Sequence, residues 1–270
     1  MSLAAEDWAA LQTRARLRLL QMHFESGVGH IGGNLSCLDL LLALHHGVMT
    51  DQDQFILSKG HAAGAYYVTL WTLGRLTDDD LATFHHDGTR LCGHPPVVGV
   101  PEVLFATGSL GHGVGLAAGL ALAKRLRGEA GRVFCVTSDG EWDEGSTWEA
   151  LIFAAQRRLD NLTILVDANG LQGFGETREV ADLDPMTEKF RDFGVNSAEL
   201  DGHDPRAVLR AIELLDASVP RVLVARTVKG HGVSFMADRM EWHYLPMSEA
   251  QYLQAIREVE HPCATPSATP

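Results

Sequence analysis

The stretch Cys135–Gly175, CVTSDGEWDEGSTWEALIFAAQRRLDNLTILVDANGLQGFG, decides how the chain is read. Five acids, Asp139, Glu141, Asp143, Glu144 and Glu149, lie in and just after a turn that follows the apolar run RVFCVT. Trp148, Leu151, Ile152, Ala155 and Leu159 then recur at helical spacing, and Ser146 with Glu149 reads as a capping box at the head of that helix. A second apolar run, LTILVDA, ends just before Asn169, thirty residues after Asp139. Strand, helix and strand in this order make a crossover, which sets the two strands parallel. Asp139 and Asn169 then each stand just past the carboxyl end of a strand, the edge where open α/β sheets bind ligands.

The same alternation continues on both sides of this stretch. Residues 6–24 read as an amphipathic helix, and the glycine-rich turn SGVGHIGGN opens a second helix that runs to Leu44. DQFILS is a short strand, AAGAYYVTLWTLG a helix stopped by Gly74, and LAAGLALAKRLRG a helix with Lys124, Arg125 and Arg127 before the Gly128 stop. SAELD and RVLVART are further strands, separated by the helical DPRAVLRAIELLDA. Strands alternating with helices predict an α/β fold, a parallel sheet with helices on both faces. We read residues 1–260 as one domain and 261–270, rich in proline, threonine and serine, as a disordered tail.

With 270 residues the chain is long enough to bury a full core. A formal charge of −13 argues against nucleic acid or an anionic membrane surface as a general partner, so an anionic ligand needs local donors or a metal. Cys37, Cys92, Cys135 and Cys263 form no C-x-x-C pair, which points away from zinc and disulfide frameworks and toward a reducing cytoplasm. The N-terminal region carries too many charges for a signal peptide, and LSCLDLLLALHHGVM, broken by Asp39, is too short to span a bilayer.

A carboxylate and an amide oxygen are hard ligands with one formal charge between them, a set that suits Mg²⁺ with places left for phosphate oxygens. The competing reading makes Asp139-Gly140 and Asn169-Gly170 two turns, each satisfying its own backbone. Their register on neighbouring strands, with acids between, favours the ligand reading.

Thirteen histidines accompany them, and six directly follow a glycine: His30, His61, His94, His112, His203 and His231. Random placement among 27 glycines in 270 residues would give about 1.3. Glycine lets backbone approach a ligand closely, and imidazole then serves as acid, base or donor. Neither H-E-x-x-H nor H-x-H occurs. His45-His46 and His85-His86 read as helix-end or surface residues. GSLGHGVG, ahead of a helix, also fits a dinucleotide loop in outline, although its G-x-G-x-G spacing differs from G-x-G-x-x-G.

SDGEWDEGSTWEALIFAAQRRLDNLTILVDANG resembles the thiamin-diphosphate motif, and its flanks resemble the transketolase family. The resemblance implies the thiamin-diphosphate-binding fold, with Mg²⁺ held by Asp139, the Asn169 side chain and the Leu171 main-chain carbonyl, and with Gly140 against the diphosphate. SGVGHIGGNLSCLDLLLAL is similar to the family's opening and implies a catalytic, sugar-contacting His30. FILSKGHAAGAYY implies a cofactor contact for His61 with Lys59 nearby, CGHPP a donor-hydroxyl contact for His94, and GSLGHGVG a seat for the thiamin rings at Gly108 and Leu110. ARTVKGHGVSFM with EWHY implies that His243 contacts diphosphate or substrate. Glu144 would join the acidic network linking paired active sites, although a helix N-terminal acid fits it equally well. Ser138 and Tyr244 depart from the family, which usually has glycine at the first position and more often has glycine at the second. His112, His203 and His231 are left to loop structure.

These motifs run from His30 to His243 and cover only the diphosphate-binding part of a transketolase. By resemblance, the aminopyrimidine-binding domain and its activating glutamate would come from a C-terminal partner chain, in a heterotetramer acting on sugars or sugar phosphates. Ketol transfer is the leading activity. The alternatives are acyloin formation from a 2-oxo acid and the role of a non-catalytic subunit.

Overall fold

The computed structural model describes residues 5–261, so the tail expected at 261–270 lies, His261 aside, outside the described residues. Helix α1 (Ala5–Ser26) leads to α2 (Ile31–Ala43), which runs on through a wider turn at Leu44–Val48 into β1 (Gln54–Leu57). Then come α3 (Ala63–Thr72), α4 (Asp78–Leu81), a long irregular stretch and α5 (Gly113–Arg127). The centre is β2 (Val133–Ser138), α6 (Gly145–Gln156) and β3 (Leu162–Ala168). After it follow α7 (Thr177–Val180), α8 (Met186–Asp192), β4 (Asn196–Asp201), α9 (Pro205–Leu214), β5 (Arg221–Arg226) and α10 (Glu249–Glu260).

The five strands form one parallel sheet in the order β1-β2-β3-β5-β4, as the alternation predicts. Side chains alternate across it. Phe55, Leu57, Phe134, Val136, Leu165 and Leu223 face a core built with α1, α2 and α3. Ile56, Val133, Cys135, Ile164, Val166 and Val222 face a second core under α5, α6 and Phe190 of α8. Strands buried on both faces read as unbroken apolar runs, and each buried Val, Leu or Ile contributes about 1.5–3 kcal/mol. From β3 the chain steps past the place of β5 to β4 and then returns. The return helix α9, through Val208 and Ile212, packs on the opposite face from α8, as the right-handedness of parallel crossovers requires.

All of α2 is buried, which explains its apolar sequence without a bilayer, and no helix among the described residues is long and apolar enough to cross one. Its one charge, Asp39, accepts from Arg16 Nη2 at both oxygens, 3.0 Å each, and from His203 Nδ1 at 2.8 Å. Burial alone would raise the Asp39 carboxyl, but Arg16 and His203 hold it down at about 2.

Two local readings are corrected. The helix α2 starts at Ile31, so Gly32, Gly33 and Asn34 belong to its first turn rather than to the preceding loop. Ser146 does not cap α6. The N-cap is Glu144, and the Ser146 hydroxyl donates to the Gly111 carbonyl at 2.9 Å, so the apparent capping box is diverted into a tertiary contact. Capping boxes do form at Thr77 with Asp80 and at Ser248 with Gln251.

Candidate active site

Strands β2 and β3 are paired up to Ser138 and Asp167, so Asp139 and Asn169 leave the same edge of the sheet. Asp139 is buried; its Oδ1 accepts the Gly140 N–H at 2.9 Å, and its Oδ2 accepts the Gly170 N–H at 2.7 Å and the Thr177 hydroxyl at 3.1 Å. The Asn169 Oδ1 accepts the Leu171 N–H at 3.1 Å, the local turn that Asn-Gly chemistry favours. The two turns are therefore made, and both are made at one place. Burial, then the neighbouring Asp167 charge, pushes the Asp139 carboxyl up to about 6. A buried carboxylate in that position is a group that a cation would stabilise.

The Asp139 carboxylate, the Asn169 amide oxygen and the Leu171 carbonyl form a hard, singly charged oxygen set, and these residues fit Mg²⁺. Gly140 leaves little room for a side chain, whereas Gly170 is open. A Cβ on Gly140 would stand 3.0 Å from the Gln172 side chain.

The four histidines His30, His61, His94 and His243 come from separate loops and meet. The His30 ring centroid lies 5.8 Å from that of His61, 6.2 Å from His94 and 5.4 Å from His243, and His61 and His243 are 5.7 Å apart. His30, at the start of α2, adopts a left-handed backbone and donates its N–H to the His243 carbonyl at 3.2 Å. Burial lowers all four rings, His61 well below its usual value and His243, next to the Lys229 charge, to about 3. Neutral rings at pH 7 both accept and donate hydrogen bonds.

Glycine is required beside them. Gly108, at φ 131°, would place a Cβ 2.6 Å from the His94 ring, and a Cβ on Gly60 would stand 2.7 Å from the Gly108 nitrogen. The glycine loop is therefore pressed against His94 and the segment that carries His61.

Sequence reasoning missed two residues here. Lys229 is buried, and its Nζ lies 2.9 Å from His243 Nδ1 and 3.2 Å from the Leu171 carbonyl, bridging the histidines and the metal-type loop. Burial lowers it to about 8, leaving it a cation at neutral pH and a natural partner for a diphosphate. The repeated tripeptide Lys-Gly-His, at Lys59–His61 and Lys229–His231, was the available signal. In the first copy the histidine reaches the site; in the second the lysine does.

The other missed residue is Glu141, the fully buried member of the acidic turn. It accepts the Ser138 N–H at 2.9 Å, the Gly111 N–H at 3.2 Å and the Ser58 hydroxyl, tying the glycine loop to the metal-type turn. Ser138, the departure from glycine, adds its hydroxyl to Glu141 at 3.4 Å.

Glu144 stands exposed at the N-terminus of α6, beside Gly111. Leu110 is also partly open, at 37% exposure. Both border the site rather than enter the histidine cluster. His112 is exposed, with Nδ1 3.1 Å from the Leu110 carbonyl of its own loop. His203 and His231 stack at 3.5 Å beside Asp39, outside the cluster.

The family model described as transketolase, thiamine diphosphate binding domain, matches residues 25–261. The chain is 39% identical over 241 residues to an apulose-4-phosphate transketolase subunit of Actinobacillus succinogenes, covering 86% of this chain and 87% of that protein. It is 34% identical over 245 residues to the 6-deoxy-6-sulfo-D-fructose transketolase subunit SqwG of Clostridium sp., covering 87% and 89%. In fold it is similar to the crystal structure of transketolase from Campylobacter jejuni, with a TM-score of 0.86 at 24% identity, over 96% of this chain but only 43% of that one.

Proposed function

This chain belongs to the transketolase family through its thiamin-diphosphate-binding domain, and from that premise we propose that it is the diphosphate-binding subunit of a two-chain transketolase. The reaction proposed is transfer of a two-carbon ketol unit from a ketose or ketose phosphate to an aldehyde. The observation that carries this reading is the convergence of His30, His61, His94 and His243 beside the Asp139, Asn169 and Leu171 oxygens.

In this reading Asp139, Asn169 and the Leu171 carbonyl hold Mg²⁺. Gly140, His61, Lys229 and His243 contact the diphosphate, and Gly108 and Leu110 lie against the thiamin rings. Bound thiamin diphosphate supplies a carbon nucleophile for the donor carbonyl. His30 and His94, held neutral by burial, hold donor hydroxyls and move protons at them. His243 shares that task from the far side of His30. Glu144, exposed at the rim, reaches toward a paired site in the assembly.

A partner chain is part of the proposal. The A. succinogenes relative, 87% of which this chain covers, is itself named a transketolase subunit, which supports a second polypeptide as the other part of the catalytic unit; the assembly we propose is a heterotetramer.

The test is ketol transfer with thiamin diphosphate and Mg²⁺, first with this chain alone and then with the chain that co-purifies with it. Activity only in the pair is expected. Activity in the lone chain would overturn the two-chain reading, and absence of cofactor binding in the pair would overturn the whole assignment.

A further inference from the structure

Behind Asn169 lies a buried polar network that none of the roles above uses. Asp167, on β3, is fully buried with both oxygens engaged. Its Oδ2 accepts the Ser36 hydroxyl at 2.6 Å and the Lys59 ammonium, and its Oδ1 accepts the Thr227 hydroxyl. Lys59, also fully buried, donates in addition to the Gly33 carbonyl at 3.0 Å. Lys59 thereby neutralises Asp167 and pins it to α2.

The same Asp167 Oδ2 accepts the Asn169 Nδ2 at 3.3 Å, and the Ser36 oxygen lies 3.5 Å from that nitrogen. The two ends of an amide are nearly identical in shape and opposite in hydrogen-bonding character, so neighbours alone decide which way it points. An ionised carboxylate only accepts. Ser36 has already given its proton to Asp167 and so offers Asn169 a lone pair. On the other side, the Leu171 N–H only donates, and it meets the amide oxygen at 3.1 Å. All three neighbours require the same orientation, with nitrogen inward and oxygen outward.

We infer that Asp167, held by Lys59, Ser36 and Thr227, is the positioning residue that turns the Asn169 amide oxygen toward the metal locus. This rests on the reading that a divalent cation binds at Asp139, Asn169 and Leu171. An asparagine at 167 could present either end of its amide to Asn169, so the orientation would no longer be enforced. Loss of such an outer partner typically weakens metal binding 10- to 100-fold.

The experiment is a Mn²⁺ titration of this chain in complex with the chain that co-purifies with it, thiamin diphosphate present, read by the EPR signal of free Mn²⁺ and requiring no turnover. It is run on wild type, Asp167→Asn, Asn169→Ala and the double variant. The expected result is roughly 10- to 100-fold weaker Mn²⁺ binding in Asp167→Asn, and no further loss when that change is added to Asn169→Ala. An unchanged affinity, or the same loss persisting in the Asn169→Ala background, would overturn the inference and leave Asp167 a structural residue. If Asp167→Asn does not fold, Ser36→Ala goes through the same cycle. A several-fold weakening that disappears in the Asn169→Ala background supports the inference, and an additive or absent effect overturns it. Wild type that binds no Mn²⁺ overturns the underlying site reading, an outcome distinct from additivity in a chain that does bind.

Discussion

The Lys229 ammonium stands between His243 Nδ1, at 2.9 Å, and the Leu171 carbonyl, at 3.2 Å. It is the direct link between the histidine cluster and the loop that carries two of the proposed metal ligands. After burial, its charge is the main reason that the His243 ring stays neutral.

Replacing Lys229 by methionine keeps much of the stem and removes that charge. The His243 ring should then titrate at a higher pH, because a nearby cation disfavours imidazolium. Thiamin diphosphate affinity should fall by at least about tenfold, equivalent to roughly 1.4 kcal/mol, the lower end of what a hydrogen bond to a charged group contributes. NMR titration of the histidines and fluorescence quenching by the cofactor read the two effects separately. A His243 titration that does not move would refute the electrostatic part.

Asp139→Asn should abolish Mg²⁺-dependent cofactor binding while stabilising the metal-free chain. The carboxyl, raised to about 6 in the fold, makes the folded state bind more protons than the unfolded chain between its ordinary value near 3.8 and 6. Stability therefore declines as pH rises through that window, and the charge is a cost at pH 7. A neutral amide removes the cost but accepts fewer N–H groups, leaving a net gain on the order of 1 kcal/mol. Urea unfolding at pH 7 without metal checks the sign.

The buried histidines should make the fold acid-labile. Burial holds His23 down to about 4 and His45 to about 3, so between 6.5 and those values the unfolded chain takes up protons that the folded chain refuses. Stability should drop as pH falls below 6.5, with His23 contributing a slope of roughly 1.4 kcal/mol per pH unit at most. His23→Leu should flatten the unfolding-midpoint curve between pH 6 and pH 4.5. An unchanged slope would mean that His23 is protonated in the fold.

Gly29→Ala should disable the site without touching a histidine. The added methyl would sit 2.2 Å from the Tyr244 carbonyl oxygen, so the segment bearing His243 or the turn bearing His30 has to move. We expect a tenfold or greater loss of cofactor affinity with the fold retained, since the displaced segments lie in loops. Cofactor titration with circular dichroism as the folding control decides it.

The β2-α6-β3 unit and the placing of Asp139 and Asn169 were legible because they depend on short-range patterning. An apolar run, a turn and a helical repeat constrain backbone dihedrals over a few residues, and parallel pairing follows from the length of the crossover. The Ser146 capping box failed for a related reason: its local pattern was correct, but a glycine loop from elsewhere supplied a carbonyl acceptor for the hydroxyl.

A parallel α/β sheet, and the sheet edge that carries Asp139 and Asn169, were legible from residue order, because periodicity and strand order are carried by local burial and by the handedness of connections. Resemblance, rather than spacing, separated His30, His61 and His94 from His112, His203 and His231, since all six share the Gly-His pattern. Which acid joins Asp139 in being buried, Glu141 inside and Glu144 outside, and which half of the second Lys-Gly-His reaches the candidate site follow from the tertiary structure alone. Those choices depend on where loops distant in sequence meet above one sheet edge, and no spacing along the chain encodes that distance.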